Sequence, residues 1–319
     1  MLSIKKKSLK KVLRGIVVAI IIYITVSMLS TKIIYDYVFR RYSAENPQGV
    51  LSKVAAITQT PFVYPCNDHF LTGSLYSDGN GEKGLIVFTP GFRAQSFEYE
   101  SVISAFLQEG FDVFAFDPTG HGNSEGKSSV GFPQIINDLD ATLNFINNHE
   151  GFNYNDIFLL GHSWGGYGVC CTMNSHSNIT AAVSVNGVDT SMDAIMAYST
   201  KYVGAIAYGN YPFLSIYQNM LFGAELSARS AVEEINETTV PVLIIQAEND
   251  EQIPKDKYSV YAQREDITSK NAEFLLYDKE GYNGHVSILY TEDKKPNYEI
   301  IRKISDFYTQ KSNYKENES

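Results

Sequence analysis

Gly161-His162-Ser163-Trp164-Gly165 is the segment of this chain that most directly suggests chemistry. It is a G-x-S-x-G pattern between the apolar run Ile157–Leu160 and a stretch with helical character from Trp164 to Ser175. A serine on a sharp strand-to-helix turn is held in a strained conformation, so the residues two before and two after it must be small. Gly161 and Gly165 meet that demand, and a helix starting at Trp164 would aim N–H groups at a developing oxyanion. A serine hydroxyl becomes a useful nucleophile only when a histidine takes its proton and a carboxylate orients that histidine. Of the six histidines, His69, His149 and His176 sit in polar stretches and His162 is within the turn itself. His121, in Asp117-Pro118-Thr119-Gly120-His121-Gly122, reads as a structural histidine bracing a pocket wall. His285, in the loop Gly281-Tyr282-Asn283-Gly284-His285 beyond the last strand-like run, is the predicted base.

The predicted acid is Asp250, just past the carboxyl end of the apolar run Val242–Ile245, where reactive groups of parallel sheets collect. Its rivals are Asp189, Glu248 and Glu251. A second oxyanion donor is expected after the run Leu85–Thr89. In Pro90-Gly91-Phe92-Arg93, Gly91 lets the backbone approach a substrate, and the Phe92 N–H would pair with that of Trp164.

These groups need a frame, and the sequence outlines one. Leu85–Thr89, Val113–Phe116, Ile157–Leu160, Ala181–Val185 and Val242–Ile245 are short, continuously apolar runs, as strands buried on both faces should be. Helical stretches are expected between and after them: Phe97–Glu109, Pro133–Asn148, Trp164–Ser175, Lys255–Arg264 and Tyr298–Tyr308. The alternation predicts an α/β fold, a mostly parallel sheet with helices on both faces. Leu71–Tyr76 suggests an antiparallel start, and Phe274–Tyr277 a last strand. The roughly 50 residues from Asp189 to Thr239 are too long for a simple connection. Their methionines and aromatics suggest a helical cap insertion, with Met196, Tyr198, Tyr202 and Phe213 as candidates for an apolar pocket wall.

At this point the chain resembles the α/β-hydrolase superfamily, and within it the branch containing monoacylglycerol lipases and S33-type serine aminopeptidases. The likeness rests on Pro90-Gly91-Phe92 with Ser96 and Tyr99, on Asp117-Pro118-Thr119-Gly120-His121-Gly122-Asn123-Ser124-Glu125-Gly126, on the turn around Ser163, and on Asp250 with His285. It spans about residues 60–310. The resemblance implies a lid between the strands flanking the insert, and hydrolysis through an acyl-enzyme with no metal or organic cofactor. One departure stands out: members of the branch usually carry His-Gly where this chain has Pro90-Gly91. A histidine hydrogen bond that braces the loop is therefore lost. The expected substrate is a small-molecule or lipid ester with an apolar acyl group. Two other readings stay open: an aminopeptidase or amidase with a cap carboxylate for an α-amine (Glu225, Glu233 or Glu234), and a non-catalytic binding protein on the same fold.

The amino terminus adds a location. Lys5, Lys6, Lys7, Lys10, Lys11 and Arg14 precede an uncharged run, Gly15–Thr31, whose length of about 17 residues is the minimum for a membrane span. The basic cluster predicts a cytoplasmic amino terminus at 1–14, an anchor at 15–31 and the rest of the chain outside. A cleaved signal peptide is the alternative, although no A-x-A pattern follows the run. Residues 32–59 read as a juxtamembrane linker, 60–311 as the hydrolase domain and 312–319 as a disordered tail. The net charge of −10 disfavours nucleic acid as a partner. The three cysteines, Cys66, Cys170 and Cys171, offer neither a disulfide framework nor metal-ligand spacing.

Overall fold

The computed structural model describes residues 2–44 and 57–318, without the side chains of 2–8, 202, 203, 206 and 314–318. Eight strands form one sheet: β1 (Thr58–Cys66), β2 (His69–Ser77), β3 (Leu85–Thr89), β4 (Asp112–Asp117), β5 (Ile157–His162), β6 (Ile179–Val185), β7 (Val242–Ala247) and β8 (Ala272–Tyr277). Their spatial order is β1-β2-β4-β3-β5-β6-β7-β8. Only β2 runs antiparallel to its neighbours, and pairing is parallel from β4 through β8. Every residue of β3, β4, β5, β6 and β7 is buried, which explains why these strands are predominantly apolar rather than alternating. The edge strand β8 is mixed, with exposed positions.

Two apolar clusters flank the sheet. On one face α2 (Glu100–Gln108) and α8 (Tyr298–Glu318) pack down through Val102, Ile103, Phe106, Ile300, Ile304 and Tyr308. Tyr308 also donates its hydroxyl to the Leu159 carbonyl at 2.7 Å, satisfying its buried polar end. On the other face lie α3 (Gln134–Asn148) and α4 (Trp164–Thr172), with Ile135, Leu139, Trp164 and Tyr167 in the core. Between β6 and β7 the chain forms α5 (Ser191–Val203), α6 (Ile206–Ser227) and α7 (Ala231–Glu237). α6 contains Pro212 and breaks at Gly223, whose φ of 78° only glycine takes up easily.

Three expectations are corrected. Residues 255–264 form only a short 3₁₀ turn, Val260–Gln263, started by the Ser259 side chain. The terminal helix runs on to Glu318 instead of ending at Tyr308 before a disordered tail, and Ser312 donates to Asp156 at 2.5 Å. Most consequentially, residues 2–38 form a single helix, α1 (Leu2–Val38), that takes in the basic cluster, the apolar run and the first residues, 32–38, of the juxtamembrane segment. Its part from Leu9 to Val38 is long and apolar enough to cross a membrane. Ser27, Thr31, Tyr35 and Phe39 are buried at four-residue spacing, so one stripe at its end packs against the rest of the fold. Within the rest of the juxtamembrane segment, residues 39–44 and 57–59 are described and 45–56 lie outside the described residues.

Candidate active site

Ser163 stands between β5 and α4 with φ 55° and ψ −114°, a conformation that costs a non-glycine residue free energy unless its surroundings enforce it. The enforcement is steric. A Cβ on Gly161 would lie 2.1 Å from the Gly165 carbonyl oxygen, and one on Gly165 would lie 2.0 Å from the Thr89 carbonyl oxygen. The turn can therefore close only with glycine at both places. The Ser163 N–H is held by the Val185 carbonyl at 2.8 Å.

The structure brings the three predicted residues into line. His285 Nε2 is 2.9 Å from Ser163 Oγ, and His285 Nδ1 is 2.8 Å from Asp250 Oδ2. All three residues are buried. The other carboxylate oxygen of Asp250 accepts from the N–H groups of Gln252 and Ile253, each at 2.8 Å. A carboxylate fixed this way presents one oxygen to the imidazole and holds its Nδ1–H tautomer. Asp189 is occupied elsewhere: its Oδ1 accepts from Ser230 Oγ at 2.7 Å and the Val232 N–H at 2.9 Å, pinning the start of α7. Glu248 pairs with Lys255. Glu251 accepts from the His285 N–H at 3.1 Å. Although burial alone would raise it, hydrogen bonds from the His285 and Glu251 backbones bring its carboxyl below the usual range.

Three supporting residues, Asn186, His162 and Tyr99, carry little sign of this role in the sequence. The His285 carbonyl accepts from Asn186 Nδ2 at 2.8 Å and from His162 Nε2 at 2.9 Å. Asn186 is itself fixed by the Ala247 N–H, 2.7 Å from its Oδ1. The other nitrogen of His162, Nδ1, lies 2.9 Å from the Tyr99 hydroxyl, which accepts the Gly91 N–H at 3.1 Å. With Nε2 donating, Nδ1 must accept, so the Tyr99 hydroxyl donates to it. The relay runs Gly91 N–H to Tyr99 to His162 to the His285 carbonyl. It ties the loop after β3 to the loop carrying the candidate base, and so supplies a brace where the expected loop histidine is missing. Burial first, and then the neighbouring His285, holds His162 down to about 3, so it stays neutral.

Phe92 follows directly on Gly91, and no hydrogen bond from the N–H of Phe92 or Trp164 to another group is found among the described residues. The two rings meet edge to face at 5.6 Å. Phe132 lies 5.0 Å and Tyr198 6.2 Å from Phe92. Trp164 is anchored by its Nε1–H on the Phe132 carbonyl at 2.7 Å. Of the other pocket candidates, Met196 is buried in the same core, while Phe213 meets Tyr23 of α1 at 5.7 Å. The Tyr202 side chain lies outside the described residues. His121 is buried beside Trp164, its Nδ1 3.0 Å from the Thr119 carbonyl. Burial, aided by Arg41 and Arg93, lowers it to about 4.

Cys66, His69 and Asp138 are close enough to share a metal ion. Asp138 is already saturated by the Thr119 N–H (2.8 Å), the Thr119 hydroxyl (2.6 Å) and Gln134 (2.9 Å). Burial also pushes the Cys66 thiol up, against thiolate formation. The cluster fits a hydrogen-bonded brace of the 117–126 loop better than a metal centre.

A serine on a strained turn after the fifth strand, an acid after the seventh and a histidine after the eighth, on this strand order, decide the architecture. The fold is that of the α/β-hydrolases. Residues 80–206 match the family described as serine aminopeptidase, S33. Among solved structures this chain is similar to the esterase Pf2001 of Pyrococcus furiosus, at 19% identity and a TM-score of 0.63, covering 84% of this chain and 98% of that one. It is similar also to Est1E of Butyrivibrio proteoclasticus, solved with ferulic acid, at 18% identity and a TM-score of 0.59, covering 78% and 98%. The proline iminopeptidase of Mycobacterium smegmatis aligns at 15% identity with a TM-score of 0.54, covering 79% and 98%. A comparison with curated proteins finds no match.

Proposed function

We propose that this α/β-hydrolase is a membrane-anchored serine hydrolase that cleaves carboxylic esters with apolar acyl groups. The observation that carries the reading is the line Ser163–His285–Asp250, with contacts of 2.9 and 2.8 Å on a serine at φ 55°. His285 Nε2 takes the hydroxyl proton as Ser163 Oγ attacks the ester carbonyl. The Phe92 and Trp164 N–H groups hold the oxyanion. Collapse breaks the bond to the alkoxy oxygen, and His285 protonates the departing alcohol. Water, deprotonated by His285, then attacks the acyl-enzyme and releases the acid, returning Ser163 to its hydroxyl form. No step calls for a cofactor.

The ring cluster of Phe92, Phe132, Trp164 and Tyr198 supports an apolar acyl group. The same surroundings weigh against the aminopeptidase reading, despite the matched family's description. Glu225 and Glu233 are exposed, and Glu234 is engaged by Arg229 at 3.0 Å. The apolar helix and its basic amino-terminal end support a single-pass anchor with the amino terminus cytoplasmic and the hydrolase outside. The partners are then a lipid or small-molecule ester and the membrane.

The test uses the full chain in detergent and its Ser163→Ala variant, with p-nitrophenyl esters, amino-acid p-nitroanilides and a fluorophosphonate label. Ester turnover and labelling that both vanish in the variant support the serine esterase. Turnover of anilides alone transfers the assignment to a peptidase. A folded wild-type chain that turns over neither and takes no label refutes catalysis altogether.

A further inference from the structure

The stretch that leaves the apolar helix does not hang between anchor and enzyme. Phe39 donates its N–H to the Tyr35 carbonyl (2.9 Å), and its own carbonyl accepts from the Ser129 N–H (2.8 Å). The Arg41 N–H reaches the Lys127 carbonyl at 3.3 Å, while Tyr42 exchanges backbone hydrogen bonds with the 120–122 turn: Tyr42 N–H to Gly120 at 2.9 Å and Gly122 N–H to Tyr42 at 3.0 Å. The Arg41 guanidinium caps the same loop on the carbonyls of Gly122 (2.6 Å), Gly126 (2.8 Å) and Ser124 (2.9 Å). Residues 39–42 are thus stitched along the 118–131 segment.

Through this seam Phe39 enters the ring cluster at the candidate active site. Its ring lies 5.4 Å from Phe92 and 5.1 Å from Phe132, both edge to face, and 4.4 Å from Tyr35. Tyr35 in turn meets Tyr217 of the cap helix α6 at 5.1 Å. Phe39 and Tyr35 are 2% and 3% exposed, as deeply buried as the core of the domain they join. The fit is close: a Cβ on Gly131 would lie 2.4 Å from the Tyr35 hydroxyl and 2.7 Å from the Phe222 ring. Anchor helix, cap and the 118–131 segment converge there with no room to spare.

We propose that Phe39, contributed by the end of the anchor helix, is a specificity-determining residue of the acyl site. It stands directly behind Phe92 and Phe132 and limits how far an acyl chain bound at Ser163 can extend. The proposal rests on the serine-esterase reading, and adds that the site is complete only when residues 35–42 are docked. On this proposal an acyl chain, its carbonyl carbon bonded to Ser163 Oγ, runs past the rings of Phe92 and Trp164, whose backbone N–H groups are the proposed oxyanion donors. The next aromatic layer on that side is Phe132 with Phe39. Shortening Phe39 opens volume at the end of that path without touching the triad.

The experiment compares wild type, Phe39→Leu and Phe39→Ala as full chains in detergent, reading kcat/KM for p-nitrophenyl acetate and p-nitrophenyl octanoate and the rate of fluorophosphonate labelling. The octanoate-to-acetate ratio should rise in the order Phe, Leu, Ala, by about tenfold or more in the alanine variant, a change of the size that single-group pocket differences bring about. Labelling should persist. An unchanged ratio in labelled variants overturns the proposal and leaves Phe39 as packing, with the esterase reading intact. If Phe39→Ala does not fold, Phe39→Leu decides on the same ratio. A wild-type chain that hydrolyses neither ester and takes no label overturns the esterase reading and this proposal together.

Discussion

Replacing Tyr99 with phenylalanine removes one oxygen and leaves the ring in place among Phe88, His162 and Tyr290. That oxygen accepts the buried Gly91 N–H at 3.1 Å and donates to His162 Nδ1 at 2.9 Å. Both partners are left without it in a site closed to water. A buried polar group that loses its only partner costs about 1–3 kcal/mol, so Tyr99→Phe should destabilise the chain by about 2–6 kcal/mol. The kinetic effect is distinct. Gly91 immediately precedes Phe92, and a loosened loop misplaces the Phe92 N–H relative to the oxyanion. Deleting such a donor outright costs about 10²–10³ in kcat, so a displaced one should cost about 10–100-fold. Because the loss is felt only as charge develops on the oxygen, KM should stay within about threefold. Steady-state kinetics on p-nitrophenyl esters, beside a thermal melt, separate the two effects. Lowered stability with wild-type kcat would refute the reasoning, reducing Tyr99 to a packing residue. A rise in KM alone would refute it as well.

Asp250→Asn preserves the shape of the site but removes the charge that holds the His285 tautomer, and should lower kcat by about 10⁴ while Ser163 labelling slows in parallel. A loss below tenfold would move the acid elsewhere. Stability should fall on acidification in a way traceable to His162. Its folded-state value, about 3, lies below the usual 6.5. The unfolded chain therefore binds the proton first, and stability is lost as pH falls from 6.5 towards 3. At pH 5 that amounts to about 2 kcal/mol, from 1.5 units at about 1.4 kcal/mol each. His121, lowered to about 4, acts in the same sense. Asp117 and Asp138, raised by burial, act in the opposite one. Urea unfolding at pH 7 and pH 5 should show a drop about 2 kcal/mol smaller in His162→Gln than in wild type, and equal drops would contradict the assignment.

How much of this could be read from residues alone depended on whether the relevant contact was local. β3, β5, β6 and β7 announce themselves because burial on both faces leaves no polar alternation, and the turn around Ser163 because its two glycines stand at fixed short spacing, although Gly165 answers to the distant Thr89 carbonyl. Asp250 and His285 were legible from their positions relative to strand ends. The Tyr99–His162 relay was not, since a tyrosine in a helix-like stretch and a histidine within the serine motif carry no mark of meeting across 63 positions. Phe39 was hidden for the same reason. An aromatic, mixed-charge segment after an apolar run reads as a spacer, and its partners at Phe92 and Phe132 lie far along the chain. Residues 255–264 misled in the other direction: a helical composition there yields to the 3₁₀ turn begun by Ser259.

If α1 spans a bilayer as proposed, the stripe of Ser27, Thr31, Tyr35 and Phe39 makes the connection to it a post rather than a leash. A helix advances about 1.5 Å per residue, so the docked stripe from Ser27 to Phe39 extends about 18 Å along it. A flexible linker would let the enzyme roam over a hemisphere of aqueous space and sample every orientation. A docked post fixes both altitude and heading. On the proposed anchoring, the site searches by lateral diffusion in the plane of the membrane, and an ester held at that surface meets it in one orientation.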